Sequence, residues 1–223
     1  MHGGDRVAAA LAGVRRRIAA AGGDPASVTV VAVTKGQPAE VCREAVAAGL
    51  TILGENRVQE ALTKMDHVPG AEWHLVGHLQ TNKVRHAARF ALVQSLDSVR
   101  LAEAMAARGR AAVLLEVNVA REAQKHGVAP DEAVAIAEQV AALLELRGLM
   151  AIGPAAGDPR PAFAELRLLR DRIEQRLGRS LPVLSMGMSE DLEAAVAEGT
   201  TMVRIGRALF AKGGRPPLPE PPI

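Results

Sequence analysis

Runs dense in Val, Leu, Ile and Ala recur along the chain, at about 28–34, 51–54, 73–77, 91–95, 111–118, 147–152, 182–187 and 201–205. Several are continuously apolar instead of alternating with polar residues, the pattern of strands covered on both faces. Helical patterns fill the gaps between them, and a helix crossover is what joins neighbouring parallel strands. Eight strand–helix units predict an α/β fold, a single (β/α)8 barrel of the TIM type, and 223 residues suit it. A doubly wound open sheet is the alternative that the same alternation allows.

The helices carry their own start and stop signals. Residues 5–21 predict an additional N-terminal helix, with Val7, Leu11, Val14 and Ile18 on one stripe, Asp5 as cap and Gly22-Gly23 as stop. Pro38 opens a second helix and Gly49 closes it, and Ser98 caps another with Leu101 and Met105 inward. Pro130-Asp131-Glu132 makes an acidic first turn. Phe163, Leu166, Leu169, Ile173 and Leu177 form one stripe ended by Gly178, and Ser189 is read as the start of a helix that Gly199 ends. The expected organisation is a helix over 1–24, a barrel over 25–212 and a flexible Pro-rich tail over 213–223.

Charge is almost balanced, 27 basic against 25 acidic residues, which argues against a nucleic-acid or membrane surface. Arg15-Arg16-Arg17 reads as a solvated helix face. The lone Cys42 excludes an internal disulfide and, with no apolar leader, predicts a cytoplasmic protein. There is no tyrosine.

Lys35 ends the apolar run Val28–Thr34, where a bare ammonium needs a reason. On the rim of a barrel its amine can attack an aldehyde; snorkelling into water is the other reading. Active sites of such barrels lie at the C-terminal strand ends. Polar residues that fall there include Glu55, Asn56, His78, Ser95, Asn118, Ser189 and Arg204. The segments Gly187-Met188-Ser189 and Gly206-Arg207 follow the seventh and eighth strands, the usual phosphate site of the fold. An amine and a phosphate cradle in one mouth suit two ligands, pyridoxal 5′-phosphate (PLP) or a sugar phosphate.

Among the weaker signals, His74 and His78 are read as packing or ring-edge residues and not as metal ligands, since no other Cys or carboxylate completes a site, and Glu55 as a general base or a partner of Lys83 or Arg57. Lys125-His126-Gly127 is read as a solvated loop near the mouth.

The segments Val33-Thr-Lys35, Gly54–Glu60, Trp73–Lys83, Leu146–Ile152, Leu184–Asp191 and Thr201–Gly206 resemble the pyridoxal phosphate homeostasis protein family. Leu184–Asp191, with Ser-Met-Gly-Met-Ser at its centre, is the most specific of them. The chain departs from the family pattern at Arg57, where an aromatic residue is expected, and after Phe210, where a glycine is expected.

The resemblance implies a barrel like the N-terminal domain of alanine racemase (fold type III), lacking that enzyme's C-terminal β domain. It implies PLP held as a Schiff base on Lys35, with Ser189, Gly206 and the Arg207 amide on the phosphate. Arg204 would face the pyridine nitrogen and Asn56 would line the pocket. With Met186, these residues make up the expected cofactor-binding set.

A guanidinium beside the ring nitrogen disfavours its protonation and weakens the ring as an electron sink. Racemases with this arrangement set a tyrosine opposite the lysine. The expected function is therefore PLP storage, buffering or delivery, without evident turnover, by a monomer that hands PLP to apo-enzymes. Racemisation or decarboxylation of amino acids is the alternative, and a Schiff-base aldolase is a more distant one.

Overall fold

A computed structural model of the protein describes residues 3–109 and 111–211. Among the described residues the order is α1 (Gly3–Ala20), β1 (Thr29–Val33), α2 (Ala39–Ala47), β2 (Ile52–Glu55), α3 (Val58–Met65) and β3 (Glu72–Leu75). A 3-10 helix, Thr81–Arg89, leads to β4 (Leu92–Leu96), α4 (Val99–Ala106), β5 (Ala112–Glu116), α5 (Ala133–Leu143) and β6 (Glu145–Met150). Then come α6 (Arg160–Leu177), β7 (Val183–Ser185), α7 (Leu192–Ala197), β8 (Met202–Ile205) and α8 (Arg207–Phe210). The strands close into one parallel barrel in sequence order. β8 returns to β1 with Thr29 opposite Met202 and Ala32 opposite Ile205. The open-sheet alternative is therefore excluded. The tail read over 213–223 lies outside the described residues.

Strand periodicity separates two apolar layers. Val31, Leu92, Ala112, Leu114, Met150 and Met202 fill the barrel interior. The larger set lies between strands and helices, with Phe163, Leu166 and Ile173 of α6 fully buried. Val7, Leu11, Val14 and Ile18 of α1 are buried as the stripe predicts, and α1 packs on α2, α7 and α8.

Three details differ from the sequence reading. The fifth strand ends at Glu116, because the chain loops out and returns so that Val128 pairs beside Val117. The element after β3 is a 3-10 helix, not an α-helix. Ser189 does not start α7, which begins at Leu192.

Two glycines show how tightly the layers are built. Gly148 sits opposite Val183, and a Cβ there would run into the Val183 carbonyl. At Gly54 a Cβ would lie 2.9 Å from Val31 inside the barrel. Gly148→Ala should therefore cost more than about 4 kcal/mol in urea unfolding, the range of severe backbone clashes. Gly13→Ala, on α1 with its nearest neighbour 3.8 Å away, should instead stabilise by about 0.5–1 kcal/mol.

Candidate functional site

A cavity of about 420 Å³ opens at the C-terminal ends of the strands. Val33, Val76 and Ile152 form its apolar wall, and Lys35, Asn56, Met188, Ser189, Arg204, Gly206 and Arg207 supply its polar and flexible parts. A second cavity, of about 470 Å³, lies at the opposite end near Leu11, Arg15 and Ile52. That face of such a barrel ordinarily serves stability, not chemistry.

Lys35 reaches the mouth by strand alternation. Val31 and Val33 point inward, so Lys35 continues the inward row. Thr34 points outward and is fully buried. There it meets a buried ion cluster. Lys64 Nζ of α3 donates to the Thr34 carbonyl at 2.9 Å, to Glu55 Oε1 at 2.6 Å and to Glu60 Oε1 at 2.7 Å. Thr34 Oγ1 donates to Glu55 Oε1 at 2.6 Å, and the Gly36 amide donates to Glu60 Oε1 at 2.6 Å. Both chain neighbours of Lys35 are thus tied to one ammonium and its two carboxylates. Glu55 does not pair with Lys83 or Arg57, and it faces away from the cavity.

Burial works against both charges of this cluster. At Lys64 the two carboxylates outweigh desolvation and hold the ammonium above its usual range. At Glu55 desolvation prevails and pushes the carboxyl up, with Oε2 buried and unpartnered. The two directions differ, and the bond lengths favour an ion pair, since Oε1 accepts from two donors at 2.6 Å. Lys64→Met should cost about 3–5 kcal/mol by leaving Glu55 charged and buried. The double variant Lys64→Met/Glu55→Gln should lose clearly less than the sum of the single losses in urea unfolding.

Arg204 points inward from β8 and is 5% exposed. Its guanidinium donates to the Ser185 carbonyl at 2.9 Å, to Ser185 Oγ at 2.8 Å and to the Ala151 carbonyl at 2.8 Å. Ser185 Oγ donates to Gln94 Oε1 at 2.7 Å. Gln94 Nε2 donates to His74 Nδ1 at 3.0 Å, and His74 Nε2 lies 3.0 Å from Glu72 Oε1. An amide nitrogen can only donate, so His74 accepts at Nδ1 and carries its proton on Nε2. Burial pushes its pKa down, in keeping with that neutral tautomer. A directional chain of hydrogen bonds thus crosses the barrel and fixes the guanidinium.

Desolvation lowers the Arg204 pKa to about 10, against the pull of Glu116 and Asp191. It remains a cation at neutral pH. Glu116, inward on β5 and 4% exposed, is raised to about 7 by desolvation; Arg204 counters this and Asp97 adds to it.

Between about pH 4.5 and 7 the folded protein holds the Glu116 proton and the unfolded chain does not. The resulting stability is complete below about 4.5 and is lost as pH rises to 7. Relative to Glu116→Gln, the native protein should lose on the order of 3 kcal/mol across that window, at 1.36 kcal/mol per pH unit. Urea unfolding at both pH values measures it.

The β7 and β8 loops meet at Ser189, whose Oγ accepts from the Ala208 amide at 3.3 Å. Gly187, at φ +97°, turns the chain where a Cβ would press on Ala195. The turn of α8 opens at Arg207, where the first N–H groups have no intrahelical acceptor. Arg17 of α1 donates to the Ser189 carbonyl at 2.9 Å and pairs with Glu193 at 2.6 Å. Arg17 is therefore a brace for this loop and not part of a solvated face.

Six of the seven expected binding residues line the cavity. Met186 does not. Ser185 points inward on β7, so Met186 points outward into the layer beneath the helices, where it is fully buried. Met188, two residues on, takes the cavity position. Ser95 and Asn118 hold loops instead of facing the cavity. Ser95 donates to the Gly77 carbonyl, and Asn118 donates to the carbonyls of Glu122 and Lys125. His78 is not packed in the core but exposed, stacked on His126. Lys64, Gln94 and Ser185 were missed as supports of the site, because only the folded barrel brings them to it.

A model of the alanine racemase N-terminal domain matches residues 7–213, the class of barrel that this fold and mouth define. The chain is 45% identical to the pyridoxal phosphate homeostasis protein of Pseudomonas aeruginosa, over 92% of its own length and 94% of that protein. It is 42% identical to the same-named protein of Deinococcus radiodurans, over 92% and 99%. The chain belongs to the pyridoxal phosphate homeostasis protein family. PipY of Synechococcus elongatus PCC7942, solved with PLP bound, superposes with a TM-score of 0.77 at 36% identity, covering 89% of this chain and 100% of that one. Alanine racemase from Corynebacterium glutamicum shares the fold at 15% identity and a TM-score of 0.75, with 63% of its chain covered.

Proposed function

We propose that this protein binds PLP covalently through Lys35 and keeps it for storage, buffering or delivery, without efficient turnover. One observation carries the reading: the Lys35 side chain and the Ser189–Gly206–Arg207 cradle line the same cavity. Its volume falls in the range of small-molecule sites. Bound there, the cofactor would supply an aldehyde for the amine and an electron-withdrawing ring. Ser189 Oγ and the first amides of α8 would hold the phosphate, and Val33, Val76 and Ile152 would flank the ring. The PLP-bound PipY structure supports the choice of this ligand over a sugar phosphate.

Two features favour keeping the cofactor over using it. Arg204 is a fixed cation, and next to the ring nitrogen it would oppose the protonation that strengthens the electron sink. The 223 residues contain no tyrosine to act as a second base opposite Lys35. The protein is proposed to act as a monomer in the cytoplasm, with apo-enzymes that need PLP as recipients.

Borohydride reduction of the PLP-loaded protein, followed by peptide mass spectrometry, should leave the pyridoxyl mass on the peptide containing Lys35. Label found only on another lysine refutes the assignment. Ser189→Ala should weaken PLP binding by about 1–2 kcal/mol, the loss of one charge-assisted hydrogen bond, and pyridoxal should bind far less tightly than PLP. Exchange of the alanine α-proton in deuterated water should stay near the rate with free PLP. Turnover of about 1 s⁻¹ or more, an ordinary enzyme rate, overturns the non-catalytic reading.

A further inference from the structure

The mouth of the barrel carries a second group of side chains, none of which lines the cavity around Lys35. His78 follows β3, Asp97 follows β4 and His126 lies in the loop after β5. Adjacent parallel strands deliver the three residues to one place. His78 Nδ1 lies 3.1 Å from Asp97 Oδ2, and His126 Nδ1 lies 3.9 Å from the same oxygen. One ligating atom from each residue falls within 4.8 Å of the other two. The two imidazoles stack, with centroids 4.2 Å apart and planes 12° from parallel.

We propose that His78, Asp97 and His126 bind a divalent transition-metal cation of the zinc type at the barrel mouth. Zinc–nitrogen and zinc–oxygen bonds of about 2.0–2.2 Å around a tetrahedral ion place neighbouring ligand atoms roughly 3.3 Å apart. The two Asp97–imidazole separations, 3.1 and 3.9 Å, bracket that value, and all three ligand atoms lie within 4.8 Å of one another, so side-chain rotations can bring them onto one ion. A single cation can take a ring-nitrogen lone pair from each imidazole together with the Asp97 oxygen.

The supports are ordered before any ion arrives. Ser98 Oγ lies 3.4 Å from Asp97 Oδ1, which leaves Oδ2 directed at the rings. Asn118 Nδ2 grips the Lys125 carbonyl at 3.2 Å, next to His126. At Gly127, φ +110°, a Cβ would collide with the Asn118 and Val117 backbone, and Val128 donates to the Glu116 carbonyl at 2.8 Å. Two imidazole nitrogens and one carboxylate oxygen suit zinc, nickel, cobalt or copper, whereas calcium and magnesium prefer oxygen donors. Three protein ligands leave a coordination position open, and the side chains of His78 and His126, 37% and 57% exposed, let solvent or a ligand reach it.

Calorimetric titration of the chelator-treated, cofactor-free full chain with zinc at about pH 7.5, where imidazole is mainly neutral, tests the assignment. One equivalent should bind, and cobalt should give the visible band of a nitrogen–oxygen site. His78→Ala and His126→Ala should each weaken zinc at least about tenfold, while His67→Ala, at an exposed histidine elsewhere, should change nothing. Calcium should give no heat. Repeating the titration on the PLP-loaded protein should return the same equivalent. Binding weaker than about 1 mM, equal binding of calcium, or zinc affinity surviving in His78→Ala/His126→Ala overturns the proposal.

Discussion

The Lys64 ammonium is the point on which the mouth of this barrel depends. It is 6% exposed and reaches three oxygens, one of them the carbonyl of the residue before Lys35. Glu60, which it also holds, accepts from the amide of the residue after Lys35. Without the cation, two carboxylates would face each other beside a strand end, and Glu55 already has one unpartnered oxygen. A buried charge left alone costs several kcal/mol, so the cluster forms as a unit or not at all. The consequence for function is positional. The β1 end cannot move without breaking the cluster, and the Lys35 amine is presented from a fixed stem.

A different device holds the neighbouring strand, since β8 pairs with β1 and sets Arg204 beside Val31. Arg204 is placed by a row of neutral polar groups running through Ser185 and Gln94 to His74. Each member has a defined donor direction, which leaves the guanidinium few alternative poses. Its charge is countered at longer range by Glu116 and Asp191. The Lys35 amine at the end of β1 and the fixed guanidinium on the adjacent β8 line one cavity. Arg17 connects α1 to the same site through the Ser189 carbonyl, so the N-terminal helix contributes beyond covering apolar surface.

The residues with the clearest local signatures were legible in the sequence. Lys35 stood out because an apolar run ended in a charge, and Gly187, Ser189 and Gly206 because they followed the last two strands of eight. Met186 was misplaced, since the segment Ser-Met-Gly-Met-Ser names two methionines and only the strand register shows that position 186 points outward. Ser189 was misread as a helix start because Asp191 and Leu192, a turn further on, begin α7 instead. Glu55, read as a general base or a partner of Lys83 or Arg57, instead turns outward to Lys64. Its partner, nine residues along the chain on α3, could not be chosen over Lys83 or Arg57 without the packing of α3 against β2.

By itself the sequence determined the number of strands, their alternation with helices, the place of Lys35 at the end of the first strand and the glycine and serine loops that follow the last two. These depend on periodicity and on residues adjacent in the chain, whose geometry is set by backbone sterics. Only the tertiary structure decided which charges pair, which way each polar interior group donates, and that His78, Asp97 and His126 meet. His78 and His126, 48 positions apart, meet because β3, β4 and β5 lie side by side in the sheet, and no local rule of spacing anticipates a contact between loops of neighbouring strands.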